Sequence, residues 1–119
     1  MKKTLVLGAS ANPSRYSNMA INKLKSHGHN VVAIGRREGE VAGIPILKEM
    51  NMQDDIDTVT LYMNAQNQAA YEEYILSLHP RRIIFNPGAE NDSLEKAAGA
   101  QGIETLHACT LVMLGTGQY

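Results

Sequence analysis

Apolar positions along the chain fall into short runs, and between the runs the spacing turns helical. The first run, Thr4-Leu5-Val6-Leu7, is β-branched and leucine-rich and stops at Gly8, after which small polar residues lead into a helical pattern. Over Asn18 to His27 that pattern places Ala20, Ile21 and Leu24 on one face, with Lys23, Lys25 and His27 positioned to complement the C-terminal end of the helix dipole. Gly28 suits the left-handed position after the last turn, and Asn30 to Ile34 predicts the next strand. Both strands lack polar alternation, as strands of a parallel sheet covered on two faces do.

From Gly35 to Asp57 the pattern is irregular, and Ile44-Pro45-Ile46-Leu47 reads as an edge strand because proline cannot complete a ladder. Thr58 to Met63 predicts a strand, and a helix opening at Asn64 or Gln66 runs to about Leu78 with Ala70, Tyr71, Tyr74, Ile75 and Leu78 inward. Pro80 prevents its continuation. Arg82 to Phe85 is a further strand, Asn86 to Glu90 a loop, and Asp92 to Gln101 a helix burying Leu94, Ala97 and Ala98 before Gly102 closes it. Ile103 to Leu106 predicts the next strand, and Thr110 to Leu114 a last extended piece.

Strands alternating with helices of about ten residues give an α/β fold: a Rossmann-like, doubly wound parallel sheet of five to six strands with helices on both faces. Residues 1–119 form one domain in this reading. With Ile44 to Leu47 at the edge the order is 3-2-1-4-5-6, and the ligand crevice lies at the switch point, between the strand ends at Gly8 and Met63.

Composition narrows the partners. A net charge of −1 gives no global field for nucleic acid or an anionic membrane, so an anion site has to be local. No apolar run approaches the roughly 18 residues of a membrane helix, and Met1-Lys2-Lys3 leads directly into a strand, which points to the cytoplasm. Cys109 is the single cysteine, and the scattered histidines His27, His29, His79 and His107 offer no metal-ligand spacing.

The loop after the first strand reads as a phosphate cradle, with backbone N–H groups and a helix N-terminus over the carboxyl edge of the sheet. Against the dinucleotide fingerprint it keeps only the first glycine: Gly8 stands, Ser10 replaces the second and Pro13 the third. The second strand ends in Gly35-Arg36-Arg37 in place of the acidic residue that takes the NAD ribose. Paired arginines suit a ribose that carries its own phosphate, which leaves NADP and coenzyme A (CoA). No tyrosine is followed four residues on by lysine, so the proton-donating pair of short-chain reductases is absent, and NADP becomes the alternative.

Four stretches, Gly8-Ala9-Ser10 with Asn12-Pro13 and Arg15-Tyr16-Ser17, Gly43-Ile44-Pro45, Asn86-Pro87-Gly88-Ala89-Glu90 and the late Cys109, together resemble the small single-domain CoA-binding proteins. These are similar to the CoA-binding domain of the succinyl-CoA synthetase α subunit. The resemblance implies CoA phosphates near Ser10, Asn12, Pro13 and Arg15, with Arg36 or Arg37 near the 3′-phosphate, and Gly8 and Ala9 are cofactor-binding positions of the same loop. It also implies that Met63-Asn64 and Asn86-Pro87-Gly88 flank the pantetheine arm. Ser17 serves equally as ligand donor or as helix N-cap. Many relatives carry an Asn-Pro-Lys-like turn where this chain has Gly35-Arg36-Arg37, a departure at the adenosine end.

No base, nucleophile and oxyanion donor assemble with a defined spacing, so a CoA or acyl-CoA binder without catalysis of its own is expected. His107 and Cys109, two apart on a strand, share a face without aligned reactive atoms. A regulatory or scaffold subunit sensing acyl-CoA is the reading from a third class, and no protein partner is specified.

Overall fold

The computed structural model describes residues 1–119. Its strands are β1 (Thr4–Leu7), β2 (Val31–Ile34), β3 (Gly39–Val41), β4 (Ile44–Leu47), β5 (Thr58–Leu61), β6 (Arg82–Phe85) and β7 (Glu104–His107). The helices are α1 (Tyr16–Ser26), α2 (Ala65–Gln68), α3 (Glu72–Ser77), α4 (Asp92–Ala100) and α5 (Thr110–Gly115), with a 3-10 turn at Ala69–Tyr71. None is long and apolar enough to cross a membrane.

All seven strands form one sheet in the order β3-β4-β2-β1-β5-β6-β7, parallel except for the β3–β4 pair. Without β3 this is the expected Rossmann-like order, with β1 between β2 and β5. Alternation along each strand builds two cores. On one face Leu5, Leu7, Val59, Leu61, Ile83 and Phe85 pack with Tyr74 and Ile75 of α3 and Leu94 and Ala98 of α4. On the other, Val6, Ala33 and Ile46 pack with Ile21 and Leu24 of α1 and Leu114 of α5.

Four expectations are corrected. Ile44–Leu47 is not the edge, because β3 pairs beyond it through a hairpin whose two turn residues, Ala42 and Gly43, have φ of 52° and 81°. Two consecutive positive φ values define the turn that matches strand twist, and Ala-Gly in place of Asn-Gly hid that signal. The predicted single helix from Asn64 to Leu78 is broken into α2, the 3-10 turn and α3. Gln68, wholly buried, is drawn inward to donate to the Met63 and Ala89 carbonyls at 2.7 and 2.8 Å, while Ala70 turns to solvent.

Thr110 to Leu114 is helical, not extended: Thr110, Met113 and Leu114 are the buried positions, at spacings of three and four. A short apolar run does not distinguish the two states by itself. Finally, Ser17 is not the N-cap of α1. Arg15 holds that position with extended backbone (φ −84°, ψ 143°), and its side chain makes no capping bond.

Candidate functional site

The carboxyl ends of β1, β2, β5 and β6 converge on a crevice of about 790 Å³. From the β1 loop and the start of α1 come Gly8, Ala9, Ser10, Asn12, Arg15 and Ser17. Arg36 and Arg37 follow β2, Met63 and Asn64 follow β5, and Pro87 and Gly88 follow β6. Of the sequence-predicted positions, Pro13 and Asn86 do not line it. Ala11, Tyr16, Glu38, Tyr62, Asn67 and Ala89 line it as well. Tyr16 and Ala89 were legible inside the Arg15-Tyr16-Ser17 and Asn86-Pro87-Gly88-Ala89-Glu90 stretches, and Tyr62 and Glu38 follow from strand ends; Ala11 and Asn67 carried no signal of their own.

The β1 loop is knitted by its own side chains. Ser10 Oγ accepts from the Asn12 N–H at 3.1 Å, and Asn12 Oδ1 accepts from the N–H and hydroxyl of Ser14 at 3.0 and 2.8 Å. Asn18 Nδ2 donates to the Ser10 carbonyl at 3.0 Å, tying the loop to α1. These bonds leave the N–H groups of Ser10, Ala11, Tyr16 and Ser17 without a protein acceptor. With no side-chain cap and no acidic residue in the first turn, the positive pole of α1 faces the crevice uncompensated. Ser17 adds a hydroxyl with no protein partner on a residue only 4% exposed.

The lining is cationic. Arg15, Arg36 and Arg37 all line the crevice, and none takes part in either ion pair of the molecule, which are Arg81–Asp57 and His107–Glu95. Glu38 is the one carboxylate on the lining. Close approach holds the walls together, since a Cβ at Gly35 would lie 2.2 Å from the Ala9 carbonyl oxygen. Glycine there lets the β2 loop press on the β1 loop.

Other polar groups are already committed. Asn64 Oδ1 caps α2 by accepting from the Asn67 N–H at 2.8 Å, and Gly88 N–H donates to the Glu90 carboxylate at 3.0 Å. That bond and one from the backbone N–H of Glu90 itself hold the Glu90 carboxyl below its ordinary pKa. Tyr62 carries a buried hydroxyl without a hydrogen-bond partner, and burial pushes its pKa up.

Asn86, 3% exposed, works behind the wall. Its Nδ2 donates to Thr60 Oγ1 at 2.7 Å and to the Leu61 carbonyl at 2.9 Å, and its Oδ1 accepts from the Thr110 N–H at 2.9 Å. The side chain therefore joins β5, the β6 loop and the start of α5. Asn86→Ala leaves several buried groups unpaired at about 1–3 kcal/mol each, so a loss of about 3 kcal/mol in urea denaturation is expected. A loss below about 1 kcal/mol would show that water replaces the amide.

His107 and Cys109 are not on the lining either. Glu95 lies 2.9 Å from His107 Nε2 and raises the pKa of the ring, which stacks on Phe85 at 5.4 Å. Cys109 is a free, partly buried thiol. The crevice offers backbone and hydroxyl donors for an anion, guanidinium groups, and aromatic and apolar side chains, and no histidine or cysteine is on its lining.

A crystal structure of an uncharacterized protein is 51% identical to this chain, with a TM-score of 0.97 over 100% of this chain and 98% of the other. A hypothetical protein from Pyrococcus horikoshii shares the fold at 24% identity and a TM-score of 0.86, covering 97% of this chain and 82% of that one. A dinucleotide-forming acetyl-coenzyme A synthetase from Ca. Korarchaeum cryptofilum aligns at 18% identity and a TM-score of 0.73. That alignment takes in 90% of this chain and 25% of the synthetase. No curated protein matches the sequence. The CoA binding domain family matches residues 2–115, nearly the whole chain, and the chain belongs to that family.

Proposed function

We propose that the chain binds CoA or an acyl-CoA in the crevice at the switch point and has no catalytic activity of its own. The observation that carries this reading is the β1–α1 junction: four N–H groups without acceptors and the unpartnered Ser17 hydroxyl, beside three unpaired arginines. Such an arrangement binds phosphate through charge-assisted bonds and the helix dipole together. Pyrophosphate lies over Ser10, Asn12 and Arg15, the 3′-phosphate at Arg36 or Arg37, and the pantetheine arm passes Met63 and Pro87-Gly88. Pro13 shapes the loop without contacting ligand. Family membership favours CoA, and the arginines, which suit a phosphorylated ribose in either cofactor, do not favour NADP over it.

Thermal shift measurements test the reading. At a CoA concentration 100 times its Kd, a ligand specific for the native state contributes about 2.7 kcal/mol and raises Tm by several degrees. The expected order is CoA or acetyl-CoA above 3′-dephospho-CoA, with NAD weakest. A shift with NADP and none with CoA would overturn it.

A further inference from the structure

Helix α5 is six residues long, a length at which a helix does not hold by itself. Besides the burial of Met113 and Leu114 along it, ties at its two ends fix it. At the crevice end, the Thr110 N–H donates to Asn86 Oδ1 at 2.9 Å, and the Thr110 and Thr60 hydroxyls pair at 2.7 Å. Beyond the other end, the N–H groups of Gln118 and Tyr119 both donate to the Met113 carbonyl, at 2.8 and 3.2 Å.

Tyr119 is seated against the amino-terminal edge of the sheet. Its hydroxyl bonds Thr4 Oγ1, and its ring meets His29 edge-on at 4.9 Å. The Arg82 guanidinium lies 4.4 Å over the ring centre and donates from Nη2 to the main-chain oxygen of Tyr119 at 3.1 Å, an oxygen that Lys2 Nζ also contacts. Arg82 is 8% exposed and pairs with no Asp or Glu side chain. Apart from the Thr58 hydroxyl at 2.7 Å, Tyr119 is what satisfies its charge.

Thr4 and Arg82 open β1 and β6, so this seat lies a strand length, roughly 13 Å, from the carboxyl edge that forms the crevice. Tyr119 does not line the crevice. We propose that Tyr119 is a positioning residue for the crevice: it anchors α5, and α5, through Thr110 and Asn86, holds the Pro87-Gly88 wall in its binding geometry. The inference rests on the CoA reading above for its ligand, and on hydrogen bonds and the ring contacts of Tyr119 for the mechanics.

Two measurements on Tyr119→Ala decide it, both made at a temperature where the variant is folded. The Kd for CoA should rise about tenfold. Amide hydrogen exchange at Thr110 should quicken at least tenfold, while the sheet amides of Val6 and Leu61 keep their wild-type rates. Tyr119→Phe, which keeps the ring over Arg82, should restore both; if the alanine variant does not fold, Tyr119→Leu takes its place. A wild-type Kd overturns the proposal, as does Thr110 exchange that changes only in step with the sheet, since a residue that merely stabilises the domain opens every amide together. If the wild-type protein itself binds no CoA, the ligand reading fails, and the exchange pattern alone decides whether Tyr119 positions the loop.

Discussion

Replacing Arg36 and Arg37 together by alanine should weaken CoA binding by roughly 30-fold while changing 3′-dephospho-CoA binding by less than about threefold. Hydrogen bonds to a charged phosphate contribute about 1.5–3 kcal/mol each in favourable geometry. Both arginines are solvent-exposed, which places the expected loss near 2 kcal/mol for the pair. Neither has a carboxylate partner in the free protein, so removing them leaves no carboxylate unpaired. Isothermal titration at two salt concentrations separates the possibilities. A loss confined to the phosphorylated ligand means direct contact with the 3′-phosphate. An equal loss for both ligands, reduced at high salt, means general attraction to the cationic wall, and no loss removes the arginines from the site.

Much of this arrangement was legible in the sequence because it depends on strand ends. Wherever a buried apolar run stops, as at Gly8, Ile34, Met63 and Phe85, the next residues lie on the carboxyl edge of a parallel sheet, and the strand order brings four such ends together. Arg36 and Arg37 reach the crevice by this logic alone. What was not legible depends on side chains that reverse their usual preference. Gln68 is buried among apolar residues because three polar partners surround it: the Met63 and Ala89 carbonyls and the Asn91 amide, which donates to Gln68 Oε1 at 2.8 Å. Two of those partners, Ala89 and Asn91, are distant in sequence, so periodicity read the segment as one helix. Asn86 misleads the other way. Its position at a strand end marks it as a ligand contact, yet its amide is used up on β5 and α5.

The hairpin β3–β4 shows a third source of error. Ala42 at φ 52° is an unusual residue for its turn, and Pro45 sits in a strand with neighbours on both sides. It does so without losing a ladder bond to β2, since the parallel pairing begins only at Ile46 with Ala33. The proline thus argued for an edge that the hairpin partner β3 moved outward by one strand.

Gly8→Ala should destabilise the domain by about 3 kcal/mol or more and lower Tm by roughly 10 °C or more. Two effects add. Gly8 has φ +92°, where a side chain is strained at a cost of about 1–3 kcal/mol. A Cβ there would also lie 2.6 Å from the Tyr62 carbonyl oxygen and 2.8 Å from its carbon, backbone atoms of the segment following β5 that cannot rotate away. Gly88 isolates the first effect, because its φ is also +92° but nothing lies within 4 Å of an added Cβ. Gly88→Ala should therefore cost only the conformational part, about 1–2 kcal/mol. Gly99, inside α4 with open space around it and no positive φ, should gain as alanine by up to about 1 kcal/mol. Urea denaturation of the three variants should order them Gly8, Gly88, wild type, Gly99 from least to most stable. If Gly8→Ala proves no worse than Gly88→Ala, the tight contact between the β1 loop and the β5 exit is not what shapes the floor of the crevice, and that floor can yield to accommodate a side chain.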